Sequence, residues 1–227
     1  MLPKLTPLAN HLGTDVSGSI PQGEQVGVLD LTEAHRRIWE LAEPHLKVRS
    51  NDAHTLYSYG IARALVDLHP DADPEVVLPA VLLHDTGWSK VPGDEVLQAI
   101  APGGGRPDLV LRHEKEGALI AADVLAEVGA DPARTARIIE IVDGHDSRRE
   151  ALHLDDALMK DADKLWRLTP HGVDTVMDWF GLTRDEAHRL IASRVHDHLL
   201  TDAGRTMARV LAAVASVDVM PQRIALG

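Results

Sequence analysis

A chain of 227 residues, 44% of them apolar, is long enough to bury one sizeable core. Its formal charge of −12, from 23 basic and 35 acidic residues, argues against nucleic acid or an anionic membrane surface as partners, because both recruit a basic face. It has no cysteine, which excludes disulfides, thiolate nucleophiles, iron–sulfur clusters and cysteine-held zinc, and leaves His, Asp and Glu to hold any metal.

Residues 1–30, including "HLGTDVSGSIPQGEQVG", are rich in Gly, Pro, Ser and Thr and read as an irregular N-terminal arm lying on the body. The opening "MLPKLTPLAN" carries no apolar signal core, and no apolar run reaches the ~18 residues of a membrane span, so a cytoplasmic protein is expected. Residues 31–227 read as a single helical domain. Thr32 is placed to cap a helix over "EAHRRIWELAE", which Pro44 stops. Asn51 or Asp52 would cap "AHTLYSYGIARALVDL", with Leu56, Tyr57, Ile61, Ala64, Leu65 and Leu68 as its apolar stripe. Asp73 and Pro74 open "DPEVVLPAVLLHD" as cap and first helical residue.

A loop with a short helix inside it follows, "VPGDEVLQAIAPGGGRPD". Its glycine run lacks the preceding strand and the following Gly-Lys-Ser/Thr of a phosphate-binding loop. A long helix from Pro107 to Val128 ends at Gly129, and Asp131-Pro132 opens another that ends near Gly144. Helices are then expected over 155–168, 183–200 and 202–215, within a C-terminal helical region spanning 170–216. There Trp179, Phe180 and Leu182 are read as core, with a lid over the site as the alternative. Strand signals are nearly absent, so the fold class is all-α.

Thirteen histidines are many for this length. His35, His45, His69, His171 and His188 lie in polar contexts and are read as solvated. His196 and His198 are two apart and point to different helix faces. Four others sit on or beside apolar helices: His54, His84 (followed by Asp85), His113 in "LRHEKEGALIAADVL", and His145 after "RIIEIVDG". Asp161 and Asp163 follow in "LMKDADKLWRL". Neutral imidazoles and carboxylates brought together from several helices are what a buried metal site requires.

The order His, His-Asp, "HEKEGA", His, "DADKL" resembles the HD superfamily of metal-dependent enzymes over roughly 52–168. The resemblance implies an HD-type helical bundle in which His54, His84, Asp85 and Asp163 bind a divalent ion, with Asp163 chosen over Asp161 because similar proteins read "ADRL" or "ADKL" at the last ligand. Asp161 is then a solvated or outer carboxylate. His113 and His145 match two further histidines that hold a second ion in some members, with Asp85 as the bridge. One or two ions of Fe, Mn, Ni, Co or Zn are the implied cofactors.

The resemblance leads first to hydrolysis of a small phosphate ester or nucleotide by a metal-activated water. Asp85, Glu114 and Lys164 are the expected catalytic residues, with Glu114 as base or orienter and Lys164 beside Asp163. Lys90, Arg112, Lys115 and Arg148 are further candidates to meet an anionic substrate, and Trp88 to line its pocket. A mixed-valent di-iron oxygenase, cleaving a C–C or C–P bond of a polyol or organophosphonate, is the alternative within the same superfamily. A non-catalytic ligand-binding module ranks last, since every motif position holds a competent ligand type. A homodimer is expected as the commonest assembly of soluble enzymes in general.

Overall fold

The computed structural model describes residues 16–23, 25–103 and 105–225. The chain divides into two compact units between Asp30 and Leu31. The first contains one 3-10 turn, Ser17–Ser19, and no buried side chain among its described residues.

The second unit is built from helices α1 (Glu33–Ala42), α2 (Asn51–Asp67), α3 (Pro74–Leu83), α4 (Gly93–Ile100), α5 (Pro107–Glu127), α6 (Pro132–Val142), α7 (Leu154–Leu165), α8 (Pro170–Phe180), α9 (Arg184–Val195), α10 (Asp202–Ala215) and α11 (Pro221–Ile224). No strand occurs among the described residues, and no helix there is long and apolar enough to cross a membrane.

Side-chain caps begin several of these helices. Thr32 accepts the His35 amide, Asp73 that of Glu75, and Asp131 those of Ala133 and Arg134. Thr183 and Glu186 form a reciprocal capping box. Helix α3 is apolar on every side from Val76 to Leu83, and all of those residues are buried. Such a helix must be central, and α2, α6 and α7 pack around it, with α5 against α6.

Helix α2 departs from the expected pattern. Its N-cap is Ser50, in the left-handed region at φ 62°, and neither Asn51 nor Asp52 supplies the cap. Its buried face carries His54, Thr55, Ser58, Tyr59, Ala62 and Leu65, whereas Leu56, Tyr57 and Leu68 are exposed. A stripe chosen by hydropathy alone is rotated away from the face that supplies a polar site. His35 is likewise buried, with Nδ1 2.7 Å from the Tyr59 hydroxyl, and so is not the solvated ring expected of it. The helix expected over 183–200 ends at Val195, and a separate 3-10 turn holds His196–His198.

Candidate metal centre

Five segments deliver the site. His54 lies in the first turn of α2, entered through Arg49 and Ser50, whose φ values of 54° and 62° turn the chain sharply. His84 and Asp85 follow the last residue of α3. His113 projects from α5, His145 follows α6 after Gly144 (φ 121°), and Asp163 sits near the end of α7. Two glycines allow the close approach between these segments. A Cβ on Gly87 would run into the backbone carbonyl of His113, and Gly117 faces the His84 carbonyl and the Gly87 amide.

All six side chains are buried. His54 Nε2 is 3.0 Å from His84 Nε2 and 3.3 Å from Asp163 Oδ1. His113 Nε2 is 3.3 Å from His145 Nε2. Asp85 lies between the two groups, with Oδ2 3.4 Å from His54 Nε2 and Oδ1 3.6 Å from His145 Nε2. Ligand atoms bound to one ion at about 2.0–2.2 Å stand about 3.0–3.6 Å apart, so these spacings suit a shared cation.

Two rings have their tautomer set. His84 Nδ1 lies 2.7 Å from the Val81 carbonyl and His145 Nδ1 2.9 Å from that of Val142, so each Nδ1 carries a proton and each Nε2 is the atom offered to the cluster. Trp88 braces both halves. Its Nε1 donates to Asp85 Oδ1 at 3.1 Å, and its ring stacks on His113 with centroids 3.9 Å apart.

Charge is distributed to match. Burial alone would push the Asp85 carboxyl up, but the His84, His145 and His54 rings outweigh it and hold the group well below the usual carboxylate range. Asp163 is lowered against the same burial, chiefly by Arg167 and then by His54 and His84. Burial takes His113 down to about 4 and also lowers His54. His145, despite burial, rises to about 10 beside Asp146 and Asp85. His84 is raised as well, against its burial, by Asp85 and Asp163, so in the ion-free cluster protons on His84 and His145 balance the ionised carboxylates. A divalent ion would displace those protons, and the deprotonated imidazoles with the carboxylates are then a donor set for it.

The remaining candidates separate cleanly. Asp161 is fully buried, so it is not solvated, and it accepts the amides of Leu200 (2.7 Å) and Thr201 (2.9 Å) and the Thr201 hydroxyl (2.7 Å), fixing the start of α10. Two positions along a helix turn a side chain through about 200°, which is why Asp161 and Asp163 serve different ends. Glu114 is also buried. Its Oε1 accepts the amides of Asp146 and Ser147 at 2.8 and 2.7 Å, so it holds the turn after His145.

A cavity of about 550 Å³ opens from Asp146 and Asp163. Its lining includes Arg148, Lys164 and Arg167, together with Arg149 and Arg194. Trp179, Phe180 and Ile191 supply apolar surface, so the first two line a cavity and are not simple core. Lys90, Arg112 and Lys115 lie elsewhere. Lys90 borders a separate groove with His45 and Glu116, exposed Arg112 lines neither this cavity nor that groove, and Lys115 pairs with Asp143 at 2.6 Å. Residues one before and two after His113 on a helix leave its face, which is the reason adjacency misleads here.

Three functional candidates lie outside the motif reading. Arg167 contacts Asp163 four residues earlier (3.7 Å), a pairing that helical spacing signals. Its guanidinium stays above its ordinary value, since Asp163, Asp146 and Asp85 outweigh the cost of burial. Asp146, adjacent to His145, lies 3.6 Å from His113 Nε2. Arg49 has no sequence signal. Its guanidinium sits over the Trp88 and Trp179 rings, with Nε and Nη1 buried and lacking a hydrogen-bond partner among the described residues, and burial lowers it to about 10.

Residues 51–168 match the sequence model of the HD domain, from the first residue of α2 to the turn that follows α7. Among solved structures, the crystal structure of a predicted HD superfamily hydrolase from an uncultured Thermotogales bacterium is similar with a TM-score of 0.56. It shares 18% identity over 85% of this chain and 92% of that one, a likeness of fold. No curated protein matches.

Proposed function

The chain belongs to the HD-domain family, and from that membership we propose that it is a metal-dependent phosphohydrolase acting on a small anionic phosphate ester. In this reading His54, His84, Asp85 and Asp163 would hold one divalent ion, and His113, His145 and Asp85 would hold a second. Bound there, the ions supply Lewis acidity and a water of lowered pKa.

The chain's own residues do the rest. Arg49 and Arg167 meet the phosphoryl oxygens, a task for which a planar guanidinium is suited. For Arg49, binding substrate satisfies two buried donors, which otherwise carry a desolvation cost. The backbone strain at Arg49 and Ser50 is of the kind that persists where it presents a functional group. Lys164 and Arg148 add positive charge at the cavity wall, and Trp179, Phe180 and Ile191 receive the apolar part of the leaving group. Trp88 and Glu114 keep the imidazoles and the following turn in register.

One observation carries this reading: the cavity that opens from the imidazole–carboxylate cluster is rich in cations, in a chain whose net charge is −12. Local positive charge against that background is a feature an anionic ligand selects. Phosphate release from a panel of phosphomonoesters, measured with Mn, Co, Ni or Zn and abolished by chelation, is the test. Absence of phosphate release across the panel with every metal would overturn it.

A second reading is favoured by the four imidazoles around one central carboxylate, a ligand set that also suits a di-iron oxygenase. Protein holding two irons per chain and consuming O₂ in turnover, without releasing phosphate from esters, would establish that reading instead.

A further inference from the structure

We infer that Asp146 is a ligand of the second metal ion, so that this half of the centre is held by His113, His145, Asp146 and an oxygen of Asp85. The inference rests on the two-ion reading above and adds a residue that the motif does not include.

Asp146 Oδ2 lies 3.6 Å from His113 Nε2 and 3.8 Å from His145 Nε2, while those two nitrogens are 3.3 Å apart. Both carboxylate distances are beyond a hydrogen bond and close to the separation of atoms bound to a common ion. The oxygen therefore stands over the pair of rings and is not engaged to either. The first half of the centre has a matching triangle, with Asp163 Oδ1 3.3 Å from His54 Nε2 and 3.7 Å from His84 Nε2. The two halves thus have the same composition: two imidazoles, one carboxylate of their own, and an oxygen of Asp85.

The position of Asp146 is built. Glu114, the residue after His113, accepts the backbone amides of Asp146 and Ser147. That contact ties the element bearing one imidazole to the turn bearing the other imidazole and the carboxylate. On the far side of the turn Arg148 donates to the Asp143 carbonyl at 3.1 Å and to Asp156 at 3.2 Å, and the buried Lys160 donates to the Arg148 carbonyl at 2.6 Å. A surface aspartate that merely faced solvent would need none of this. The Asp146 side chain is 33% exposed and borders the cavity, so a ligand there remains next to bound substrate.

The test counts metal, not turnover. Wild type, Asp146→Asn, His113→Ala and Asp197→Asn are saturated with Mn²⁺, desalted and analysed for metal per chain, with Mn²⁺ affinities from titration calorimetry and helix content from circular dichroism. Asp197 is another carboxylate lining the same cavity, so its variant removes a nearby charge without removing a ligand. Wild type and Asp197→Asn should retain two equivalents. His113→Ala should retain one, and Asp146→Asn should retain one or bind its second at least tenfold more weakly. In Co²⁺-loaded protein, the visible absorption of Asp146→Asn should also change in intensity, which the Asp197→Asn spectrum should not.

If Asp146→Asn holds two ions with wild-type affinity while His113→Ala holds one, Asp146 is not a ligand and the two-ion reading stands. If Asp197→Asn weakens the second ion as much as Asp146→Asn does, the effect is one of charge and the inference fails. If wild type binds a single equivalent, the two-ion reading fails and this inference with it.

Discussion

Replacing Glu114 by alanine separates a positioning carboxylate from a catalytic base. Its Oε1 accepts two amides, at 2.8 and 2.7 Å, from inside a buried environment. A hydrogen bond to a charged acceptor contributes about 1.5–3 kcal/mol, so two set an upper bound of about 3–6 kcal/mol. Asp146 and Ser147 are exposed, which lets water reach part of the freed amides and reduces the expected loss to about 2–4 kcal/mol. Glu114→Gln keeps one acceptor oxygen but loses the charge, and should cost about 1–2 kcal/mol. Urea unfolding of the metal-free protein reads both values. The loosened turn carries His145, so Glu114→Ala should also lose one equivalent of metal. A loss below about 0.5 kcal/mol for Glu114→Ala would refute the assignment. So would a Glu114→Gln protein of full stability and metal content but without activity, since that is the behaviour of a general base.

Further outcomes distinguish neighbouring residues. Asp161→Asn should lower stability by about 2–4 kcal/mol through the lost anchor of Leu200 and Thr201 yet leave metal content unchanged, while Asp163→Asn should lose metal with a smaller change in unfolding midpoint. Gly87→Ala should cost about 1–3 kcal/mol and reduce metal occupancy, because its new Cβ meets backbone that cannot rotate away. Arg49→Ala should retain both ions and lose about 10²-fold in kcat/KM, the scale of one removed oxyanion donor. Lys90→Ala, Arg112→Ala and Lys115→Ala should leave kcat/KM within about twofold, since their charges lie outside the cavity.

Much of the scaffold was legible because caps and helix stops are local. Thr32, Asp73, Asp131 and Gly129 act at or beside the positions their types suggest. His84 and Asp85 stood out for a physical reason: polar groups at the end of a fully apolar helix need partners. Other parts depend on contacts between distant residues. Asp161 and Asp163 share the same helix and the same charge; the family resemblance selects Asp163, but the reason lies in distant contacts, with Asp161 held by the amides of Leu200 and Thr201, 39 and 40 positions away, and Asp163 facing His54 and His84. The buried face of α2 was misread because it carries polar residues for the site. Arg49 was invisible because its placement follows from two consecutive left-handed residues that no spacing rule marks. Nearness to the motif selects Lys164 and Arg148 among the cavity cations, but Arg149, Arg167 and Arg194 come from the turn after His145, the turn after α7 and α9 respectively, and it also selects Lys90, Arg112 and Lys115, which lie outside the cavity.

Anomalous diffraction from crystals of the metal-loaded protein, collected above and below the absorption edge of the bound metal, tests the central claim most directly. The account predicts two peaks, one touching His54, His84 and Asp163 and the other His113 and His145, with Asp85 in contact with both. A peak bound by side chains other than these and Asp146, or none within reach of His84, Asp85 and Asp163, would contradict it.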